Sequence, residues 1–316
     1  MLGVKVKVNG YVKTQVIQYR RWFSNQGPLI YNLLRAVNGY IDWLRVSSAV
    51  KKRTPFVVVY QQGRVASTSV YESLKLLGLP NPIYHVHTLS EHKAKNEIAQ
   101  LKQTGGKVFR HYFLGQKLAQ ALKNIDFLDV QKPWKIISIF RDPIEIMLSL
   151  YFLNIEDDPS GLLTTVNTSD KDYVLKFFKD LLETSNPAGW DVCNWYDDVF
   201  FNELGVDVYK SPFDKEKGYS IINTKRFDIL LIRFEGIQSG YSHGVAELFD
   251  LDASVINLEH TNLHRTEQYS DIHKYIKKNL KLSRSFCEKV YATKIMKSFY
   301  SPEHIEELTK KWTREI

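Results

Sequence analysis

The chain has 316 residues, of which 44% are hydrophobic and 25% charged, enough apolar material for one large core or two small ones. This composition excludes disorder, collagen and coiled coil. No stretch approaches the eighteen or so uncharged apolar residues of a membrane span, and Lys5 and Lys7 stand where a secretory leader needs an unbroken apolar run. The net charge of +8 is uneven: residues 1–53 carry ten basic side chains against the single acid Asp42, a net of +9, and the remainder sums to −1. Two cysteines, Cys193 and Cys287, exclude a disulfide framework and a cysteine-only metal site, and a cytoplasmic location is expected.

Leu33, Leu34, Val37, Ile41 and Leu44 recur at helical spacing, so residues 29–46 are expected to form an amphipathic helix that packs on the domain or lies on a membrane surface. After Lys51-Lys52-Arg53, the run Pro55–Tyr60 reads as a buried strand and opens the main domain, residues 54–316. A polar loop over 61–69 leads to a helix at Val70–Leu77, a strand at Ile83–Thr88 and a helix at Glu91–Lys102. The Gly105-Gly106 turn precedes an expected strand at Lys107–Phe113 and a helix to Asn124. Trp134–Phe140 is a buried strand, stopped by Arg141-Asp142-Pro143 before a helix at Ile144–Asn154. Loop residues 155–169 precede helices at Asp170–Thr184 and Trp190–Leu204, the second stopped by Gly205. Phe227–Phe234 is the last strand, and helices follow from Val245, including Asp271–Leu280, Ser283–Phe299 and Pro302–Arg314. Strands alternating with helices predict an α/β fold with a central parallel sheet flanked by helices, a helical basic N-terminal arm (1–53) and a helical C-terminal region. Ligands of such sheets bind beyond the C-terminal strand ends.

Two strand-to-helix crossings carry chemistry. In the first, Gly63, Arg64, Val65, Ala66, Ser67, Thr68 and Ser69 place backbone N–H groups, hydroxyls and a guanidinium at a helix N-terminus, a natural anion site. The alternative is a plain helix cap made by Ser67 or Thr68. A nucleoside-triphosphate loop would need a second Gly and a Lys before the hydroxyl, and neither is present. In the second crossing, Arg141 ends a strand and Ser149 lies about two helical turns on, so both can grip one phosphate. Arg-Asp-Pro is also a structural stop, with Asp142 capping and Pro143 opening the helix.

Together these segments resemble the PAPS-dependent sulfotransferases, in which a Lys/Arg and small hydroxyl residues hold the 5′-phosphosulfate and an Arg…Ser motif holds the 3′-phosphate. Ala66–Ser69, Tyr84-His85-Val86-His87 and Arg141–Glu145 resemble the heparan sulfate 2-O-sulfotransferases. Trp195, Gly205–Tyr209, Pro212-Phe213-Asp214, Gly218-Tyr219 and Phe299-Tyr300-Ser301 resemble bacterial capsular polysaccharide synthesis proteins. Departures are Arg64 where Lys is commoner, no preceding Pro, and a His-x-His pair much closer to the first loop.

The resemblance implies sulfuryl transfer from PAPS, leaving PAP, to a hydroxyl on a saccharide or polysaccharide, without metal. Arg64 stabilises the leaving phosphate, and Arg265, beside His264, supplies a late basic contact. A His base suits neutral pH. On a strand His85 and His87 project from one face. One takes the proton and the other orients it, with His111 in the next strand as competitor. A zinc site would need a third ligand beyond His92 at metal spacing. Rivals are a Mg²⁺-dependent nucleotide kinase using the same loop and a non-catalytic glycan or polyanion binder. No nucleic-acid partner is expected. The +9 segment is either a solvated helix face or a peripheral contact with a membrane or polyanion.

Overall fold

The structure, a computed structural model, describes residues 28–103, 110–124, 133–157, 170–259 and 267–313. In chain order the elements are α1 (Pro28–Lys51), β1 (Val57–Tyr60), α2 (Ser67–Leu76), β2 (Ile83–Val86), α3 (Glu91–Gln103), α4 (Arg110–Asn124), β3 (Trp134–Phe140) and α5 (Pro143–Asp157). There follow α6 (Lys171–Glu183), α7 (Asp191–Trp195), β4 (Tyr219–Asn223), β5 (Phe227–Arg233), α8 (Ile237–Phe249), α9 (Glu267–Asn279), α10 (Arg284–Tyr291), α11 (Lys294–Phe299) and α12 (Pro302–Trp312). Two compact units emerge, one from Met1–Lys52 and Leu89–Asn124, the other from Arg53–Thr88 and Ile125–Ile316. No helix among the described residues is long and apolar enough to cross a membrane.

The larger unit is built on a five-stranded sheet in the order β2-β1-β3-β5-β4. β2, β1, β3 and β5 are parallel, and β4 pairs antiparallel with β5 at the edge. The sheet is therefore mostly rather than wholly parallel. β4 gives little sequence signal because it is five residues long and its turn contains no glycine. That turn is set by Thr224, whose Oγ1 accepts from the N–H groups of Arg226 (3.2 Å) and Phe227 (2.8 Å). The central strands carry side chains with no exposure, among them Val57, Val58, Val59, Ile136, Ile137, Phe140, Ile229 and Leu230, as strands covered on both faces require.

Several helices differ from the pattern-based expectation. α2 begins at Ser67, so Ser67, Thr68 and Ser69 form its first turn instead of a loop. The stretch 190–204 divides into α7, a π-helical turn at Tyr196–Phe201 and a final turn at Asn202–Leu204. The stretch 283–299 breaks at Ala292 and Thr293, where the Thr293 Oγ1 donates to the Val290 carbonyl at 2.7 Å. Asp142 and Pro143 do open α5, with Asp142 Oδ1 accepting from the Ile144 N–H at 3.0 Å.

In the smaller unit α4 packs on α1 and α3. The expected strand 107–113 is not formed where it is described: Arg110–Phe113 open α4, whose buried Leu114, Leu118, Ala121 and Leu122 recur at helical spacing. α1 buries Asp42, Val46 and Ala49, and Asp42 takes both guanidinium contacts of Arg110 at 2.6 Å. Of the stripe expected either to pack on the domain or to lie on a membrane surface, Val37, Ile41 and Leu44 are exposed.

α8 rests on β4 and β5 through Gly240 and Gly244. A Cβ at Gly244 would lie 2.8 Å from Leu230 Cδ1 and 3.2 Å from Tyr219 Cδ2, too close for a packed core. Gly244→Val should therefore cost about 2–3 kcal/mol by overpacking. Urea denaturation checks this; an unchanged midpoint would mean that α8 is not seated on the sheet as described.

Candidate functional site

Strand order reverses between β1 and β3: from β1 the chain passes to β2 on one side and later to β3 on the other. A crevice at such a reversal, beyond the C-terminal strand ends, is where open α/β sheets take ligands. Both sequence motifs end there, one after β1 and one after β3.

After Tyr60 the chain runs through Gln61, Gln62 and Gly63, then takes left-handed backbone at Arg64 (φ 69) and Ala66 (φ 63) before entering α2. Each such non-glycine residue costs roughly 1–2 kcal/mol. Val65 between them is fully buried and anchors the turn. Ala66, the residue at the α2 N-cap, makes no side-chain capping bond, so capping by Ser67 or Thr68 is not what this loop does. A Cβ on Gly63 would meet no atom of the described residues within 4 Å, so their packing does not demand glycine there. The amides of Gln61 (0% exposed) and Gln62 (6%) are buried with no hydrogen-bond partner among the described residues, an arrangement that costs on the order of 1–3 kcal/mol per group.

Arg141 Nη1 donates to the Arg64 carbonyl at 3.1 Å, joining the two motifs. Its Nη2 donates to Glu145 Oε2 at 2.7 Å, and the guanidinium lies 4.1 Å from the Phe234 ring centroid. Glu145 also receives Lys311 Nζ at 2.6 Å and Lys277 Nζ at 2.5 Å. Burial would push this carboxyl up, but the three cations outweigh burial and hold it at about 2. Lys277 is lowered, first by burial and further by Arg141 and Lys311, despite the carboxylate. The cluster is overcharged with cations. Ser149 is buried one turn beyond Glu145 on α5. Asp142 is fully buried, with Oδ2 accepting from Trp312 Nε1 at 2.8 Å, and is raised to about 7 by burial and then by Glu235.

His87 follows β2 and His85 lies within it, opposite Val59 of β1. Their rings share one side, with centroids 4.9 Å apart and edge to face. His87 Nδ1 is 2.8 Å from the Gln61 carbonyl. A carbonyl only accepts, so Nδ1 carries the proton and Nε2 is the basic nitrogen of the neutral ring. Burial lowers His87, opposed by its bond to Gln61, and lowers His85 to about 3, with the His87 charge as second cause. Both are neutral at pH 7. His111 stands on the helix α4, its ring 4.4 Å from that of Tyr112, and not on a strand. Arg265 and His264 lie outside the described residues.

Three participants carry no local motif. Lys277 and Lys311 come from α9 and α12, far from Arg141 in sequence, although Glu145 was visible as its i,i+4 partner. Glu203 follows the π-helical turn, a feature common at functional sites. It accepts from Tyr60 at 2.5 Å and from Thr88 at 2.8 Å, linking the ends of β1 and β2.

Glu145 supports a prediction with a defined sign. Its folded carboxyl titrates near 2 instead of 4.5, so its stabilisation is complete above pH 4.5 and fades as pH falls toward 2. Glu145→Gln leaves the cations uncompensated and should lower stability by about 2–3 kcal/mol at pH 7, with a smaller deficit at acid pH. Urea denaturation at both ends of that window checks this; equal deficits would refute the charge account.

Residues 175–301 match the family model "Putative capsular polysaccharide synthesis protein". The segment holds most of α6, all of α7 to α11 and β4 and β5, and includes Glu203 and Lys277 but neither strand-to-helix motif. No curated protein and no solved structure matches the chain.

Proposed function

We propose that the chain is a sulfotransferase that moves a sulfuryl group from PAPS to a hydroxyl of a saccharide. The observation that carries this reading is the 3.1 Å bond from Arg141 to the Arg64 carbonyl. It brings the ends of β1 and β3 together at the reversal of strand order, as a ligand with two phosphates on one ribose requires. The saccharide acceptor rests on the family matched by residues 175–301.

The residues present fit such a nucleotide. Left-handed backbone at Arg64 and Ala66 leads into the N-terminus of α2, where the N-cap Ala66 has no capping side chain, and a helix N-terminus reached this way suits the 5′-phosphate. Arg64 supplies a cation there, and Ser67, Thr68 and Ser69 supply hydroxyls. Around the second anion site, Arg141, Lys277 and Lys311 against Glu145 leave a charge of +2, matching a phosphate monoester near −2 at neutral pH. Ser149, two helical turns beyond Arg141, would add a hydroxyl.

The donor supplies an activated sulfuryl group whose bond to the 5′-phosphate breaks as the acceptor oxygen attacks. The chain's part is to position both reactants and to stabilise charge on the departing phosphate. Arg64 and the α2 N-terminus perform the second task. His87 performs proton removal through Nε2, its Nδ1 proton fixed by the Gln61 carbonyl. His85, enclosed and neutral, keeps a second positive charge away from His87.

PAP should raise the melting temperature without added metal, and Arg64→Ala or Arg141→Ala should abolish that shift. Gly63→Ala should keep the ligand-free melting temperature while weakening PAP binding about tenfold, because the added methyl points away from protein. If ATP with Mg²⁺ stabilises the chain and PAP does not, a kinase reading replaces this one. If neither does and glycan binding survives Arg141→Ala, the chain is a binding protein.

His87→Ala should retain PAP binding and lose turnover by a factor of 10²–10⁴. Because the ordinary value of 6.5 is lowered at His87, the acid limb of kcat/KM should fall below pH 6.5. Full turnover by the variant would move the base to another residue.

A further inference from the structure

The helix α1 is apolar on two sides. One side buries Val46 and Ala49 together with Asp42. On the other, Val37, Tyr40, Ile41 and Leu44 recur at i, i+3, i+4 and i+7, with exposures of 52%, 59%, 39% and 46%. Trp43, 38% exposed, flanks this stripe with its ring 5.4 Å from that of Tyr40. Arg45, Lys51 and Lys52 are exposed along the same helix and just past its end. The only acid of residues 1–53, Asp42, is turned inward and bound by Arg110. The exposed side thus combines aliphatic and aromatic groups with positive charge and carries no carboxylate.

We propose that this face of α1 docks the protein on an anionic lipid surface, with Tyr40, Trp43 and Leu44 entering the headgroup boundary and Arg45, Lys51 and Lys52 meeting lipid phosphates and carboxylates. Interfacial helices bury such a face only about 5–10 Å deep, and electrostatic attraction to anionic lipid adds to what the apolar area supplies, while Trp and Tyr favour that depth. A second copy of the chain is a poorer occupant. The stripe rises only about 10 Å along the helix, against the roughly 800 Å² per partner of a stable interface. A two-fold pairing of this short face would also bring its own cations together. This inference is independent of the nucleotide reading.

The test is flotation of the full chain with vesicles of phosphatidylcholine alone or with roughly 30% phosphatidylserine. Binding should require the anionic lipid and weaken at about 0.5 M salt. Arg45→Gln/Lys51→Gln/Lys52→Gln should weaken it at least tenfold, given about fivefold per charge removed. Trp43→Ser/Leu44→Ser should do the same with an unchanged circular-dichroism melt. Should that pair unfold, quenching of tryptophan fluorescence by brominated lipid, lost in Trp43→Phe, serves in its place. Absence of flotation, binding indifferent to both sets of substitutions, or a dimer in solution that the apolar pair dissolves would each overturn the proposal.

Discussion

The arrangement depends on one guanidinium. Arg141 stands immediately after β3, and its Nη1 reaches across the reversal of strand order to the carbonyl of Arg64, 77 positions earlier in the chain. The contact is possible because β1 and β3 are adjacent and parallel, with Val59 opposite Ile137, so both strands deliver their following loops to the same end of the sheet. A hydrogen bond to a carbonyl does not neutralise Arg141. Its charge is balanced instead by Glu145, one helical turn into α5, and Glu145 in turn draws in Lys277 and Lys311 from α9 and α12. One carboxylate therefore gathers two distant helices around the end of β3.

That balance is deliberately incomplete in its chemistry. Three cations around one carboxylate repel each other: Lys277 is lowered first by burial and then by Arg141 and Lys311, and a second anion would relieve the repulsion. Close by, Asp142 is held between Ile144 N–H and Trp312 and is raised to about 7 chiefly by burial. Its own backbone N–H is taken by Glu235, which also accepts from Tyr300 at 2.7 Å. Thus Asp142 and Glu235 serve the backbone and buried aromatics, while Arg141, Lys277 and Lys311 remain on the side where Glu145 is their counterion.

Where one local period decided the structure, the sequence was a good guide. β1 is an unbroken apolar run, β3 and β5 are apolar runs interrupted only by Lys135 and Ser138 and by Asp228 before the closing Arg233, and Asp142-Pro143 and Ser301-Pro302 open helices as their residue types require. Failures came where tertiary packing chose between periods. Residues 110–113 have a strand-like composition but open α4, because Leu114 and Leu118 need its helical face. β4 forms because β5 offers an open edge, information absent from Tyr219–Asn223 alone. The stripe of α1 shows the converse: its spacing was legible, but not which side would be buried, since Asp42 found Arg110 across the fold. In the site, Arg64, Arg141 and His87 belonged to local patterns, whereas Lys277, Lys311 and Glu203 arrive by topology.

The distribution of unfavourable terms argues for where the work of this protein is done. Left-handed backbone at Arg64 and Ala66, buried amides at Gln61 and Gln62 that find no partner among the described residues, and two imidazoles kept neutral by burial all fall within a few residues of the ends of β1 and β2. Glycine is the low-cost residue at positive φ and stands there at Gly78, Gly205, Gly218 and Gly236, while Arg53 and Asp250 adopt it singly and, among the described residues, only the β1–α2 loop has two such non-glycine residues, Arg64 and Ala66, two positions apart. A loop selected only to join a strand to a helix would fill a buried position with an apolar side chain in preference to glutamine. At Arg64 and Ala66 the backbone shape is kept with side chains that make it costly, which is intelligible if the direction of the N–H groups and the guanidinium both matter. The segment matched to the capsular polysaccharide family then supports the strained loop from behind: Glu203 ties Tyr60 to Thr88, holding β1 and β2 in register where His87 meets Gln61.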